Sequence, residues 1–468
     1  MRSSRPSKRG WENKDMLGKR ISGIMRILTI YAVVSVLGAS TVYAAETGGS
    51  ETTVVSDGTP ASPNEVSGWP QGPELSSATA CVIDADTGVV LYDKGMTDKM
   101  FPASTTKVMT ALIAIENSSL DEIVVFTETG VAEAYSGSSN LNTKVGEEFT
   151  MEECLYALML KSANDFASQI AEHVAGSTEA FAQMMNERAK ELGCVNTHFA
   201  NAHGLEHPDH YTCAYDLTLI MREAAKNETF CKIAGALEYT ISSTHLTSER
   251  YVSTHNELLK YGDYYYEYCI AGKTGFTDEA MYTFVSIAEK DGKKLIEATM
   301  YSPSPIDSFL NARTLYEYGF NNFQNLVVED DQQLYSGGMI TIPNTAAAVD
   351  VVVEAGDTFE TDFGTMITEY YSYNSYPVGT AAITKEVYDE RNPDTLIPEE
   401  DTVPDDTVSG ENDLEHLNID LKPIGEEGIT TAHIIIGVFG ILIIIGILLI
   451  IITIIHKKSK KSKKKRRK

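Results

Sequence analysis

Between residues 46 and 456 basic side chains are scarce. Of the 38 Lys/Arg and 66 Asp/Glu in the chain, eight basic and two acidic residues precede position 46 and ten basic ones follow position 456. That leaves 20 basic against 64 acidic residues, a net charge of about -44 for the middle of the chain. Such a body repels phosphate backbones, so no nucleic acid partner is expected. The six cysteines (Cys81, Cys154, Cys194, Cys213, Cys231, Cys269) include no C-x-x-C pair, and buried free thiols are the expectation. There is no H-E-x-x-H, although His203, His207 and His210 cluster. Gly204 and Pro208 in that stretch spoil a helical ligand face, so loop histidines without a metal are expected. No internal repeat stands out.

The basic residues that do occur sit at the two ends. Arg26 precedes the apolar run Ile27–Leu37, followed by Ser40-Thr41-Val42-Tyr43-Ala44-Ala45. That order reads as a secretory signal over 1–44, cleaved after Ala44. Ile434–Ile455 is 22 residues without charge, long enough to span a bilayer as a helix. Ten Lys/Arg follow it and belong on the cytoplasmic side. The expected topology is therefore a single-pass membrane protein whose residues 46–433 lie outside, with the lipid bilayer engaged through the C-terminal helix.

Texture divides the rest. Residues 45–75 are rich in Ser, Thr, Gly and Pro and read as a flexible linker. Ala80–Ile83 and Val89–Tyr92 flank Asp84-Ala85-Asp86-Thr87-Gly88, a hairpin signature. Helical spacing follows, in Val108, Leu112 and Ile115, in Leu155, Leu158 and Leu160, and in Phe181, Met184 and Met185. Strand texture returns over Tyr282–Ile287 and Lys294–Met300, and a last helix is predicted over Ser308–Tyr318, stopped by Gly319. That order predicts an α+β fold, helices packed on an antiparallel sheet, over 76–321. Short β runs (Met339–Ile342, Ala348–Val353, Met366–Tyr373) predict a small separate β domain over 322–390. An acidic linker over 391–433, a transmembrane helix over 434–455 and a basic tail over 456–468 complete the division.

Three short motifs carry the chemistry: Ser104-Thr105-Thr106-Lys107, Ser162-Ala163-Asn164 and Lys273-Thr274-Gly275. Singly the first two are weak. Ser462 with Lys465 also fits S-x-x-K, while Ser138-Ser139-Asn140 and Ser372-Tyr373-Asn374 also fit S-x-N. Position is what distinguishes the copies. Ser104 opens an apolar-periodic helix, which places Lys107 one turn on along the same face. A serine hydroxyl needs a base, and lysine serves only when burial or a neighbouring cation keeps it neutral. Lys273 is the candidate cation. Ser162 and Asn164 lie between two helices, where the hydroxyl could relay a proton and the amide could hold a substrate peptide. Lys273-Thr274-Gly275 suits an edge strand able to pair with a peptide, with Gly275 permitting close approach. Helix capping by Ser104 and Ser162, with solvated lysines, is the bland alternative for each motif alone.

Together, and with Pro102-Ala103 before Ser104, Lys161 and Asp165 around Ser162, Met185-Asn186-Glu187, His203-Gly204-Leu205 and Ala214-Tyr215-Asp216-Leu217, the sequence resembles the serine D-alanyl-D-alanine carboxypeptidases, the low-molecular-mass penicillin-binding proteins. The likeness covers about 76–321. It implies a β-lactamase/transpeptidase-like domain and no cofactor or metal. The implied partners are peptidoglycan stem peptides, with β-lactam antibiotics as covalent inhibitors. It further implies that Ser104 is the nucleophile, Lys107 the general base and Ser162 a proton relay. Asn164 would position the peptide, Lys273 and Thr274 would grip the terminal carboxylate, and the N–H groups of Ser104 and Phe276 would form an oxyanion hole beside Gly275.

The sequence departs from that pattern in places. Relatives often carry His at Phe276 and Gly at Met281, and an arginine expected near Asp307-Ser308 is absent, with Arg313 over a turn later. A β-lactamase-like hydrolase is the nearest rival, but no E-x-x-L-N deacylating stretch lies between Asn164 and Lys273. A non-catalytic wall-binding surface protein is the rival of a different class, and three intact motifs argue against it.

Overall fold

The computed structural model describes residues 60–134, 137–328, 334–362, 364–392 and 422–423. The expected signal peptide, most of the acidic linker, the apolar run 434–455 and the basic tail fall outside the described residues. Among the described residues no helix is long and apolar enough to cross a membrane.

Five antiparallel strands form the central sheet: β1 (Thr79–Asp84), β2 (Val90–Lys94), β7 (Cys269–Thr277), β8 (Met281–Lys290) and β9 (Lys293–Ser302), in the order β2-β1-β9-β8-β7. The β1–β2 hairpin turns where the sequence places it. Gly88 takes φ 77, and Asp84 Oδ1 accepts the N–H groups of Asp86 and Thr87. All six residues of β1 are buried, because helices cover both faces of the sheet. Helix α8 (Pro305–Asn322) lies on one face. Helices α1 (Lys107–Asn117) and α6 (Ala214–Ala225) lie on the other, with α4 (Asn164–Ala175) and α5 (Thr178–Glu191) outside them. Helices on an antiparallel sheet are what the sequence predicts.

Two expectations for the segments flanking the central sheet are corrected. Helix α8 does not stop at Gly319. It starts at Pro305, after Ser304, whose side chain accepts from Asp307 N, and runs on to Asn322. Gly319 answers a different need: a Cβ there would stand 2.5 Å from Leu295 Cδ1, so the glycine lets α8 lie close against β9. Nor is the stretch up to residue 75 a free linker where it is described. Trp69 donates its indole N–H to Leu91 O at 3.0 Å and its ring lies 4.8 Å from that of Tyr376. Asn374 holds Ser67 O at 2.6 Å and Tyr318 holds Pro70 O at 2.8 Å. Prolines and a half-buried aromatic fix this segment as a strap, the apolar contact outweighing the entropy of a Ser/Gly-rich composition.

Beyond α8 the chain passes directly into β10 (Phe323–Val327). That strand, with β11 (Leu334–Pro343), β12 (Val351–Thr361), β13 (Gly364–Tyr373) and β14 (Tyr376–Thr384), is ordered β12-β13-β14-β11-β10. Ala348–Asp350, expected in a strand, is a single 3-10 turn. One apolar cluster joins the face of the central sheet under α8 to this second sheet, through Leu315, Tyr318, Phe323 and Ile340.

Candidate active site

The cleft forms where the start of α1 meets the open edge of the central sheet. Ser104 lies in a 3-10 turn (Ala103–Thr106) leading into α1. Strand β7 is the last strand of its sheet, and a Cβ on Gly275 would stand 2.9 Å from Ser104 N and 2.3 Å from Thr283 Oγ1. Only glycine permits that approach, which sets the backbone of Gly275-Phe276 beside Ser104. On the third side, α3 (Met151–Tyr156) runs into a single π-turn, Ala157–Lys161, ending at Ser162 in the left-handed conformation (φ 61). Wide turns and residues held in sparsely populated backbone regions cluster at functional sites. Here they turn Ser162 into the cleft just before α4 begins.

Lys107 is fully buried and makes three polar contacts. Its Nζ lies 3.0 Å from Ser104 Oγ, 2.6 Å from Asn164 Oδ1 and 2.6 Å from His203 O. Burial, and then the positive charge of Lys273, hold its pKa well below the ordinary lysine value, while Asp165 and Glu133 pull the other way. Lys273, 2% exposed, donates to Thr274 O at 2.7 Å, and burial pushes its pKa down to about 7. Among the described residues Ser162 Oγ is buried with no hydrogen-bond partner, an open valence. Together Ser104, Ser162, Thr274, Gly275 and Phe276 border one cleft of about 410 Å³.

Asn164 differs from its expected placement. It is 3% exposed, its Oδ1 accepts from Lys107, and its Nδ2 donates to Ser138 Oγ at 2.8 Å. Both ends of the amide are therefore used on protein atoms, and its Oδ1 holds Lys107. The loop that supplies Ser138 and the cleft-lining Ser139 is tied down by buried Asp165, which accepts from Leu141 N at 3.1 Å and Thr143 Oγ1 at 3.0 Å. Sequence reasoning set Ser138-Ser139-Asn140 aside as a chance S-x-N match, yet it lies against the true one. His203, in one of the stretches that carry the resemblance, contributes through its carbonyl rather than its ring. Its ring instead accepts from Leu205 N, and the ring of His210 accepts from Ala200 N at 3.0 Å. Burial pushes both imidazoles down to about 3. Among the described residues no group of His, Cys, Asp or Glu is placed to hold a metal. All six cysteines are free thiols.

The sequence profile of the D-alanyl-D-alanine carboxypeptidase family matches residues 67–304, half of the chain. The chain belongs to this family. A D-alanyl-D-alanine carboxypeptidase of Mycobacterium tuberculosis is 33% identical over 259 residues, which cover 54% of this chain and 84% of the relative. The carboxypeptidase DacF of Bacillus subtilis is 32% identical, over 53% of this chain and 62% of its own length. The chain thus spans less than two thirds of that relative. In structure it is similar to the Streptomyces K15 DD-transpeptidase, with TM-score 0.51 and 30% identity over 54% of this chain and all of that one. It is likewise similar to the M. tuberculosis D-alanyl-D-alanine carboxypeptidase, with TM-score 0.50 and 31% identity, covering 55% and 95%.

The departures from the family pattern now have places. Met281 adopts φ 51, a conformation glycine takes freely. Arg313 stacks over the Tyr266 ring, 5.8 Å from its centre, while the cleft wall at the start of α8 is Pro305, Ile306 and Ser308, with no arginine.

Proposed function

We propose that this chain is a serine-type D-Ala-D-Ala carboxypeptidase that removes the terminal D-alanine from peptidoglycan stem pentapeptides through an acyl-enzyme on Ser104. The observation that carries the reading is the environment of Lys107. A neutral amine has two N–H donors and one lone pair. Two carbonyl oxygens, Asn164 Oδ1 and His203 O, each 2.6 Å away, take the donors. The lone pair is left for the Ser104 hydroxyl at 3.0 Å, within reach for general-base catalysis.

In this reading Ser104 O–H gives its proton to Lys107 as Oγ bonds to the carbonyl carbon of the penultimate D-alanine. The oxyanion sits between the N–H groups of Ser104 and Phe276, donors typically worth about 3 kcal/mol each. Collapse breaks the C–N bond, and the leaving amine takes the proton from Lys107 through Ser162, whose Oγ has no competing partner. Lys273 as an ammonium, with Thr274, grips the terminal carboxylate. Asn164 holds Lys107, and meets the peptide only by releasing Ser138. Water, activated by the returned Lys107 amine, then frees the enzyme. The same attack opens a β-lactam ring, leaving a slowly hydrolysed adduct. The expected signal and C-terminal span would place the domain outside the cell membrane, tethered to the bilayer.

The test is D-alanine release from a pentapeptide, with fluorescent penicillin labelling in parallel, for the wild type, Ser104→Ala and Lys107→Ala. Loss of both activities in each variant is expected. Release that survives in Ser104→Ala overturns the nucleophile assignment, and a wild type that penicillin never labels favours the wall-binding alternative.

A further inference from the structure

We propose that Arg250 is a positioning residue for the reaction: paired with buried Glu147, it grips the backbone of Leu141 and so holds Ser138 and Ser139 against Asn164, which in turn aims Lys107 at Ser104. The inference rests on the carboxypeptidase reading above and concerns residues outside the lining of the cleft.

The grip on the loop is two-sided. Leu141 N donates to Asp165 Oδ2 at 3.1 Å, and Leu141 O accepts from Arg250 Nε at 3.0 Å. From this pinned residue the chain leads back to the cleft. Ser139 O accepts from Asn164 N at 2.7 Å, and Ser139 Oγ donates to Lys161 O at 2.8 Å. Ser138 Oγ accepts from Asn164 Nδ2 at 2.8 Å, and Asn164 Oδ1 takes a donor of Lys107 at 2.6 Å. A displacement of Leu141 is therefore passed to the base through hydrogen bonds alone.

Arg250 is itself firmly mounted. It opens β6 (Arg250–Ser253), which pairs with β5 (Glu238–Ile241) in a hairpin. Tyr239 stacks on Tyr156 of α3 with ring centres 3.8 Å apart, and Ser242 N donates to Glu153 Oε1 of the same helix at 2.9 Å. The guanidinium lies 5.4 Å from the centre of the Phe149 ring, which packs on Phe166 of α4 at 5.2 Å. Arg250 Nη2 donates to Glu147 Oε2 at 2.7 Å. That carboxylate has no exposed surface, and it also accepts from Thr244, Thr247 and Lys144 N. Burial raises the Glu147 carboxyl, but Arg250 and the two threonines outweigh it and hold it at about 2, so the pair stays charged at neutral pH.

Stability alone does not account for such a pair. Two buried charges lose hydration that their attraction only about returns, and neutral side chains of similar volume often serve a fold as well. Arg250 Nη1 moreover lies buried without a partner among the described residues, a further cost. What the arginine supplies is direction. Its planar fork sets two donors at a fixed spacing, one spent on Glu147 and one on the loop backbone. Because the hairpin rides on α3, the helix that runs into the Ser162 turn, the grip keeps Ser138, Asn164 and Ser162 in one frame.

The experiment follows acylation of the full-length protein in detergent by fluorescent penicillin between about pH 5.5 and 9.5, with melting temperatures measured alongside. Glu147→Gln with Arg250→Met removes both charges and keeps an acceptor for Thr244 and Thr247. It leaves in place the groups that face Lys107, namely Lys273, Asp165, Glu133 and His203. Acylation at pH 7 should fall at least about tenfold, as small misplacements at a reacting centre do. Burial is the largest cause of the low Lys107 pKa, so a loosened mount that admits water should raise it. The acid limb of the profile should then move up by about half a pH unit or more, and the loss should shrink in alkali. Arg250→Lys, which can face Glu147 but lacks the fork, should show the same displacement in smaller degree. Arg188→Lys, in the ion pair with Glu116, should leave rate and profile unchanged. A wild-type rate and limb in the double variant, or a loss equal at every pH, overturns the positioning role. If the double variant does not fold, Arg250→Lys decides by the same two criteria. A wild type that penicillin does not label overturns instead the reading on which the proposal rests.

Discussion

Lys273→Met should stabilise the protein at neutral pH and lose most of that advantage in alkali. A buried lysine whose folded pKa is about 7, against an ordinary 10.5, is neutral when folded and protonated when unfolded across the interval between those values. Unfolding takes up a proton there, so this group makes the folded state more stable as pH rises. Its penalty is present in full below about pH 7. The slope approaches about 1.4 kcal/mol per pH unit, and integrating from pH 7.5 to 9.5 gives about 2.5 kcal/mol. Methionine removes the titration while filling a similar volume. The buried thiols act in the opposite sense. Burial raises Cys81 and Cys154 well above their ordinary value, so stability is lost where the unfolded thiols ionise. Those thiols are common to both proteins and cancel in the difference. Urea unfolding followed by the fluorescence of Trp69, packed on Phe323 and Tyr376, supplies the measurement. The advantage of the variant should shrink by about 2.5 kcal/mol between the two pH values. A difference constant to within about 0.5 kcal/mol would mean that Lys273 keeps its charge when folded, and the depression of its pKa by burial would be refuted.

Asn164→Asp should cut penicillin acylation by at least about 100-fold at neutral pH. A carboxylate in place of the Oδ1 that lies 2.6 Å from Lys107 Nζ favours the ammonium and removes the base, which stopped-flow labelling would register. Gly275→Ala should lower kcat/KM by a comparable factor with little change in melting temperature, because the added Cβ, 2.3 Å from Thr283 Oγ1 and 2.9 Å from Ser104 N, must push β7 away from the nucleophile. Met281→Gly should raise stability by about 0.5–1 kcal/mol in urea unfolding by relieving a left-handed backbone at φ 51, despite the flexibility glycine adds to the unfolded chain.

The three motifs and the alternation of helix and strand were legible because each rests on local order: a turn of helix between Ser104 and Lys107, an apolar run at fixed period, a glycine at a strand edge. What escaped was of another kind. The strap through Trp69 has the composition of a linker, and only the aromatic surfaces of Tyr318, Phe323 and Tyr376, hundreds of residues away, decide that it packs. Gly319 carries the same letter as a helix stop, but its meaning comes from Leu295 on a neighbouring strand. The carbonyl of His203 and the hydroxyl of Ser138 take part through positions that any sequence could supply.

Lys107 and Lys273 together show why three motifs far apart in the chain need one another. Two buried ammonium groups in one cleft repel, so each makes the other easier to deprotonate, and the geometry settles which of them yields. Lys107 has two carbonyl acceptors and a hydroxyl at 3.0 Å, a set that a neutral amine satisfies completely. Among the described residues Lys273 has only Thr274 O at 2.7 Å, which leaves donors unspent and open to an incoming carboxylate. A bound substrate carboxylate should therefore raise the pKa of Lys273, which takes up a proton from solvent, and the new charge presses Lys107 further toward the neutral form. Binding of the correct chain end thus prepares the base, and a peptide lacking a free C-terminus should lose kcat as well as affinity.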